Sequence, residues 1–234
     1  MVSRRIHFLI ASVLFFCASV LWAGDTASFV DLGFSPDGRI YMFAQYGVEA
    51  GTLRPWADLS VVDVPRNDFV NGGRVSFIHN SPVVSGSDGS GAFYRLLARN
   101  AALAEQYGVS FLRQGQPLYV SLDSTDPSRL GETIEFRDFE AGNTYKASLV
   151  SSVEGSGNNL RSSFHIKMDR VSRNGDRATY TVGNPQIKRP LVASYRIKKV
   201  MVAPNDGSLI FVIEMKRQAA DGFDIRYMVE ALHQ

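Results

Sequence analysis

The chain has 234 residues, with 25 Lys/Arg against 23 Asp/Glu and 45% hydrophobic side chains. That length allows one domain, or at most two small ones, with enough apolar residue to bury a core without covalent staples. The near-neutral charge argues against general nucleic-acid binding, and a single cysteine, Cys17, excludes a disulfide framework or a cysteine-ligated metal site.

Arg4 and Arg5 precede an apolar run from Ile6 to Ala23. A basic start, an apolar core and a small final residue describe a secretory signal peptide over 1–23, with Gly24 opening the mature chain. The competing reading is an uncleaved anchor, since about 18 apolar residues is borderline for a membrane span. Cleavage removes Cys17 and both arginines, leaving 23 basic against 23 acidic side chains. No later run is long and apolar enough to cross a bilayer. Residues 24–234 are expected to form a single β-rich domain that is exported, either periplasmic or secreted.

Phe29 to Val48 organises the mature sequence. An apolar strand ends at Gly33-Phe34, Ser35-Pro36-Asp37-Gly38 reverses direction, and Ile40 to Tyr46 returns. Proline presets the turn, the aspartate bonds its own backbone, and Gly38 accepts a positive φ. Near the other end, Pro204-Asn205-Asp206-Gly207 leads into Ser208 to Glu214 in the same way. Residues 29–64 and 195–232 are therefore expected to form equivalent antiparallel units, burying Phe34, Tyr41, Val202 and Phe211. The aromatics Phe34, Tyr41, Phe43, Tyr46 and Trp56 suit either a core or a ligand groove.

Between these ends, Ala57 to Val64 reads as a strand and Pro65 to Asp68 breaks it. Another short strand is centred on Arg74 to Ile78, and His79 to Gly91 has the composition of a loop. Ser90 to Tyr107 carries Phe93, Leu96, Leu97, Ala101, Ala104 and Tyr107 on one stripe, the pattern of an amphipathic helix near 90–107 that packs on a sheet. From Pro117 the alternation is β-like. Phe164, Ile166 and Met168 alternate with His165, Lys167 and Asp169, and Asn174-Gly175 signals a hairpin. The total is about ten antiparallel strands by this pattern, suited to a sandwich, a barrel-like stack or a propeller-like arrangement.

The strand–Ser-Pro-Asp-Gly–strand motif resembles the blade hairpin of TolB-type and WD-repeat propellers. As a whole the chain is similar to a bacterial family of predicted secreted proteins, a domain of unknown function. The resemblance rests on LGFSPDGRIYMFAQYGV (32–48), SVVDVPRNDFV (60–70) and the ending SLIFVIE…IRYMVEAL (208–232). It implies an exported compartment and a β-rich fold, and supplies no catalytic residues.

No motif marks a nucleophile elbow, a phosphate loop or a metal site, and no cofactor is expected. His79, His165 and His233 lack ligand spacing. Asp123, Asp126 and Glu132 offer either a calcium or acid/base cluster or an ordinary Asp-Pro turn. One compositional anomaly stands out. Arg161, Lys167, Arg170, Arg173, Arg177, Lys188, Arg189, Arg196, Lys198 and Lys199 face only Asp169 and Asp176 within 161–199. Because Arg196 and Lys198 alternate with Tyr195 and Ile197, they are expected to point away from the core. These cations either pair with the acidic stretch 24–160 or form a positive face for an anionic partner. The functional expectation is a non-enzymatic binding or assembly module of the cell envelope, its partner a protein, a glycan or an anionic lipid surface. The alternative is a hydrolase of envelope glycans or peptides.

Overall fold

In a computed structural model, residues 24–122, 133–220 and 222–233 are described. The described strands are β1 (Ser28–Phe34), β2 (Ile40–Val48), β3 (Pro55–Asp63), β4 (Asp68–Ile78), β5 (Gln116–Val120), β6 (Thr133–Arg137), β7 (Thr144–Glu154), β8 (Arg161–Val171), β9 (Arg177–Val182), β10 (Arg189–Pro190), β11 (Val192–Val202), β12 (Leu209–Ala219) and β13 (Gly222–Leu232). Two helices, α1 (Ser90–Arg99) and α2 (Ala101–Gln106), follow β4. The strands form three antiparallel sheets: β1-β2-β3-β4, the N-terminal sheet; β13-β12-β11-β5, the middle sheet; and an outer sheet built on β8, which pairs with β7, β9 and β10 while β6 pairs with β7. Among the described residues they close no barrel.

The middle sheet is covered on both faces. Leu209, Phe211 and Ile213 pack on Tyr145, Phe164, Ile166 and Met168 of the outer sheet. Ile210 and Val212, on the reverse side of β12, pack with Phe34, Tyr41, Phe43 and Val62 of the N-terminal sheet. This is why Leu209 to Ile213 is an unbroken apolar run rather than an alternating one. The same reasoning applies to β2. Tyr41 and Phe43 face the middle sheet, while Met42 and Ala44 face Ala92, Phe93 and Leu96 of α1. Each large side chain sealed this way stabilises the fold by about 1.5–3 kcal/mol. The order across the molecule is helix, N-terminal sheet, middle sheet, outer sheet.

The two ends do form matching three-strand meanders, β1–β3 and β11–β13. Phe34, Tyr41 and Phe211 are fully buried, and Val202 is half-buried. Phe34, Tyr41, Phe43 and Trp56 are core side chains, and Tyr46 stacks on Phe93 5.5 Å away. The turns of the two units touch: Asn205 Nδ2 donates to Pro36 O at 2.9 Å. Gly38 sits so close that a Cβ there would lie 1.9 Å from the Pro204 carbonyl oxygen.

The expected single helix is broken at Asn100, whose Nδ2 donates to Leu96 O at 2.8 Å and whose own φ is −119°. Asn favours such side chain–backbone bonds over helix continuation. Gly108 takes the left-handed conformation just beyond α2, as a terminating glycine does.

Candidate functional site

A cleft of 570 Å³ opens at the turn end of the molecule, between the middle and outer sheets. Three stretches meet there: Gln114 and Gln116 entering β5, Asp138 to Tyr145 around the β6–β7 turn, and Val202 to Gly207 between β11 and β12. Each turn is held by its own aspartate. Asp138 Oδ1 accepts the N–H groups of Glu140 at 2.9 Å and Ala141 at 3.0 Å, and Gly142 at φ 78° closes the turn. Asp206 Oδ1 accepts the Ser208 N–H at 2.8 Å. These local bonds make the cleft wall rigid without help from a ligand.

Beside the cleft, Ser208, His233 and Asp206 come together, but not as a hydrolase triad. Ser208 Oγ lies 3.0 Å from His233 Nδ1, and Asp206 Oδ2 lies 3.5 Å from that same nitrogen. A triad needs the carboxylate on one ring nitrogen and the nucleophile on the other. Ser208 is also fully buried, beyond the reach of a substrate.

A smaller hollow of 350 Å³ adjoins the start of α1, lined by His79, Asp88 and Arg95 among others. Asp88 Oδ1 already accepts the Ser90 N–H at 2.9 Å, so a carboxylate occupies that helix terminus. Among the described residues no cluster of three or more metal-ligating side chains is present. Asp123, Asp126 and Glu132 lie outside the described residues.

The basic residues of 161–199 lie in several separate places, some exposed and some in ion pairs. Arg161, Lys167 and Arg177 are exposed on the strands of the outer sheet, and Arg173 in the turn after β8. Arg170 is half-buried, its guanidinium 5.6 Å from the centre of the Tyr180 ring. Arg196 and Lys199 instead sit between the middle and N-terminal sheets, where Arg196 pairs with Glu214 at 2.8 Å and Lys199 with Asp31 at 3.0 Å. The expectation that Arg196 points away from the core fails because the middle sheet has a second packed face: the side opposite Tyr195 and Ile197 is an interface, not solvent. Lys198, in the same strand, is half-buried. Lys188 pairs with Glu154 at 2.6 Å and Arg189 with Glu230 at 3.3 Å.

Two carboxylates are deeply buried away from both hollows. Asp25 Oδ2 accepts Trp56 Nε1–H at 2.6 Å and Arg226 Nη2–H at 2.8 Å, with the Arg226 guanidinium 4.1 Å over the Trp56 ring. Glu230 accepts from Asn67 Nδ2 at 2.7 Å and from Arg189. It thereby ties the β3–β4 turn, the middle sheet and β10 together. Burial pushes both carboxyls above the ordinary carboxylate range, against the pull of their cationic partners. Between about pH 4, the unfolded value, and the raised native values, the native state holds protons that the unfolded chain has released. Their contribution is therefore fully present below about pH 4 and is lost as pH rises through the native values. Asp37 and Glu49 act in the opposite sense, held low chiefly by the hydroxyls of Ser35 and Thr52. Their stabilisation is present above the unfolded value and lost as pH falls through the native one. Thermal unfolding of residues 24–234 is thus expected to peak in mildly acidic buffer and decline on both sides. Glu230→Gln should flatten the decline toward neutral pH and spare the acid limb. An unchanged neutral limb in that variant would contradict the assignment.

These observations define a mainly β protein of three stacked antiparallel sheets, with a cleft at one end and no helix among the described residues long and apolar enough to cross a membrane. Residues 42–233 match a family described as predicted secreted protein (DUF2259), and the chain belongs to that family. No curated protein and no solved structure matches it.

Sequence reasoning missed the cleft residues Asp138, Glu140, Asn143 and Tyr145. The available signal was the Ala141-Gly142-Asn143 turn with an aspartate three residues before it. Nothing local indicated that this turn would lie opposite Pro204 to Gly207.

Proposed function

We propose that this protein is a non-enzymatic binding module of the cell envelope, and that the turn-end cleft receives its ligand. The observation that carries this reading is the cleft itself: three distant chain segments converge on a pre-formed hollow of ligand size, 570 Å³. Three side chains around the cleft that could serve a hydrolase carry structural bonds or are sealed from substrate. Ser208 is buried, and Asp138 and Asp206 each commit one oxygen to the backbone of their own turn.

The test is amide NMR of residues 24–234 titrated with soluble peptidoglycan fragments, envelope-derived peptides and anionic vesicles. Shifts concentrated at Gln114–Gln116, Asp138–Tyr145 and Pro204–Gly207 are the expected result. Shifts confined to Arg161, Lys167 and Arg177 with vesicles would instead favour an anionic partner on the outer sheet. Turnover of an added fragment would establish the hydrolase alternative.

A further inference from the structure

Resting on that cleft as the binding site, we infer that its ligand presents a cationic, hydrogen-donating group, the ammonium or guanidinium of a lysine- or arginine-bearing segment. Asp138, Glu140 and Asp206 line the cleft, and neither a lysine nor an arginine lines it. Arg173 packs behind the β6–β7 turn, against Gly142, rather than in the cleft wall. A low-dielectric hollow bounded by charge of one sign attracts the opposite sign and rejects its own.

The hydrogen-bonding inventory points the same way. Three lining amides already spend a donor on the protein: Gln114 Nε2 on Phe111 O at 2.7 Å, Asn143 Nδ2 on Tyr145 Oη at 3.1 Å, and Asn205 Nδ2 on Pro36 O at 2.9 Å. Their carbonyl oxygens take no hydrogen bond among the described residues. An amide oxygen and a carboxylate both accept, so the wall is acceptor-rich.

Two of the polar side chains here are almost wholly sequestered, Asp138 at 5% exposure and Tyr145 at 2%. Asp138 uses only Oδ1 in its turn, and its Oδ2 has no partner among the described residues. Tyr145 Oη accepts from Asn143, and its own proton has no acceptor there. A carboxylate oxygen left open at the cleft wall is a group that a charge-assisted N–H donor satisfies well. Arginine can also donate in a planar fork to Asp138 and a neighbouring amide oxygen together.

The experiment uses residues 24–234 and five probes: tri-lysine, tri-arginine, spermidine, tri-glutamate and a neutral chitin oligosaccharide. Binding is read by calorimetry and amide NMR. The basic peptides should move the signals of Asn143, Tyr145 and Asn205 and bind less tightly as salt rises. Glu140→Gln should weaken them about ten-fold, the equivalent of about 1.4 kcal/mol. Glu140 is exposed and its side chain makes no bond among the described residues, while its turn bond to Asp138 comes from the backbone N–H, so this variant should fold. Asp138→Asn keeps an oxygen for its turn and serves as the second variant, with its melting curve as control. Response to the peptides but not spermidine identifies a peptide segment as the source, and equal response identifies the amine alone. If the neutral oligosaccharide moves the cleft signals and the cations do not, the cleft stands as the site and the cationic assignment falls. Should no probe move the cleft, or the cations map elsewhere, both fall. Equal affinity in wild type and both folded variants also overturns the assignment.

Discussion

Glu230→Ala should lower the unfolding free energy of residues 24–234 by about 3–5 kcal/mol, the range for breaking a buried ion pair from one side. The side chains of Glu230 and Arg189 are 8% and 16% exposed. Removing the carboxylate strands the Arg189 guanidinium, which sits 4.8 Å over the Phe164 ring and has little water to turn to. It also strips Asn67 Nδ2 of its acceptor, while Asn67 Oδ1 still takes the Ala231 N–H at 2.6 Å. Asn67 holds a left-handed backbone, φ 48°, a conformation asparagine adopts readily, so its side chain is set toward both partners by the turn itself. Replacing the pair together, Arg189→Met with Glu230→Leu, should recover most of the loss, because the desolvation cost of both charges then disappears. Urea unfolding of the single and double variants measures this. A loss under about 1 kcal/mol for Glu230→Ala would class the contact with ordinary surface pairs.

Gly38→Val should be comparably damaging for a different reason. Gly38 adopts φ 75°, and its Cβ would come within 1.9 Å of the Pro204 carbonyl oxygen. A β-branched residue is strained in that conformation, and the contact is with backbone, which cannot swing aside. The two turns must separate, breaking the Asn205–Pro36 bond and displacing a wall of the cleft. A destabilisation on the order of 3 kcal/mol is expected, with loss of the cleft's ligand response. Gly72→Ala is the control, since Gly72 has φ 68° but an added Cβ meets nothing within 4 Å. It should show only the backbone strain, on the order of 1 kcal/mol. Equal effects of the two substitutions would mean that the contact between the turns contributes nothing.

Turn chemistry carried the legible part of the fold. Ser35 to Gly38 and Pro204 to Gly207 announced their hairpins because proline, aspartate and glycine each fix a particular dihedral or bond. The amphipathic stripe around Phe93 and Leu96 announced α1 for a similarly local reason. Pairings across long separations left no such mark. β5 joins β11, about eighty residues later, and Asn67 reaches Glu230, 163 positions away. The inward turn of Arg196 was hidden because alternation states that a strand has two faces, not what covers the second one. The run Leu209 to Ile213 did carry that information, since five consecutive buried apolar residues require a partner on each side. The cleft was the least legible feature, assembled from turns whose residues each have a sufficient local role.

The middle sheet's position between the other two bears on how an exported chain can fold at all. Its strands β11–β13 come after every other strand in the sequence, and they complete both apolar interfaces. A chain threaded across a membrane amino end first therefore delivers two half-finished sheets, each with a bare greasy face, before their common mate emerges. Non-local pairing of this kind is slow, and the waiting surfaces are prone to aggregate. Productive folding thus awaits the last forty or so residues, which carry β11–β13.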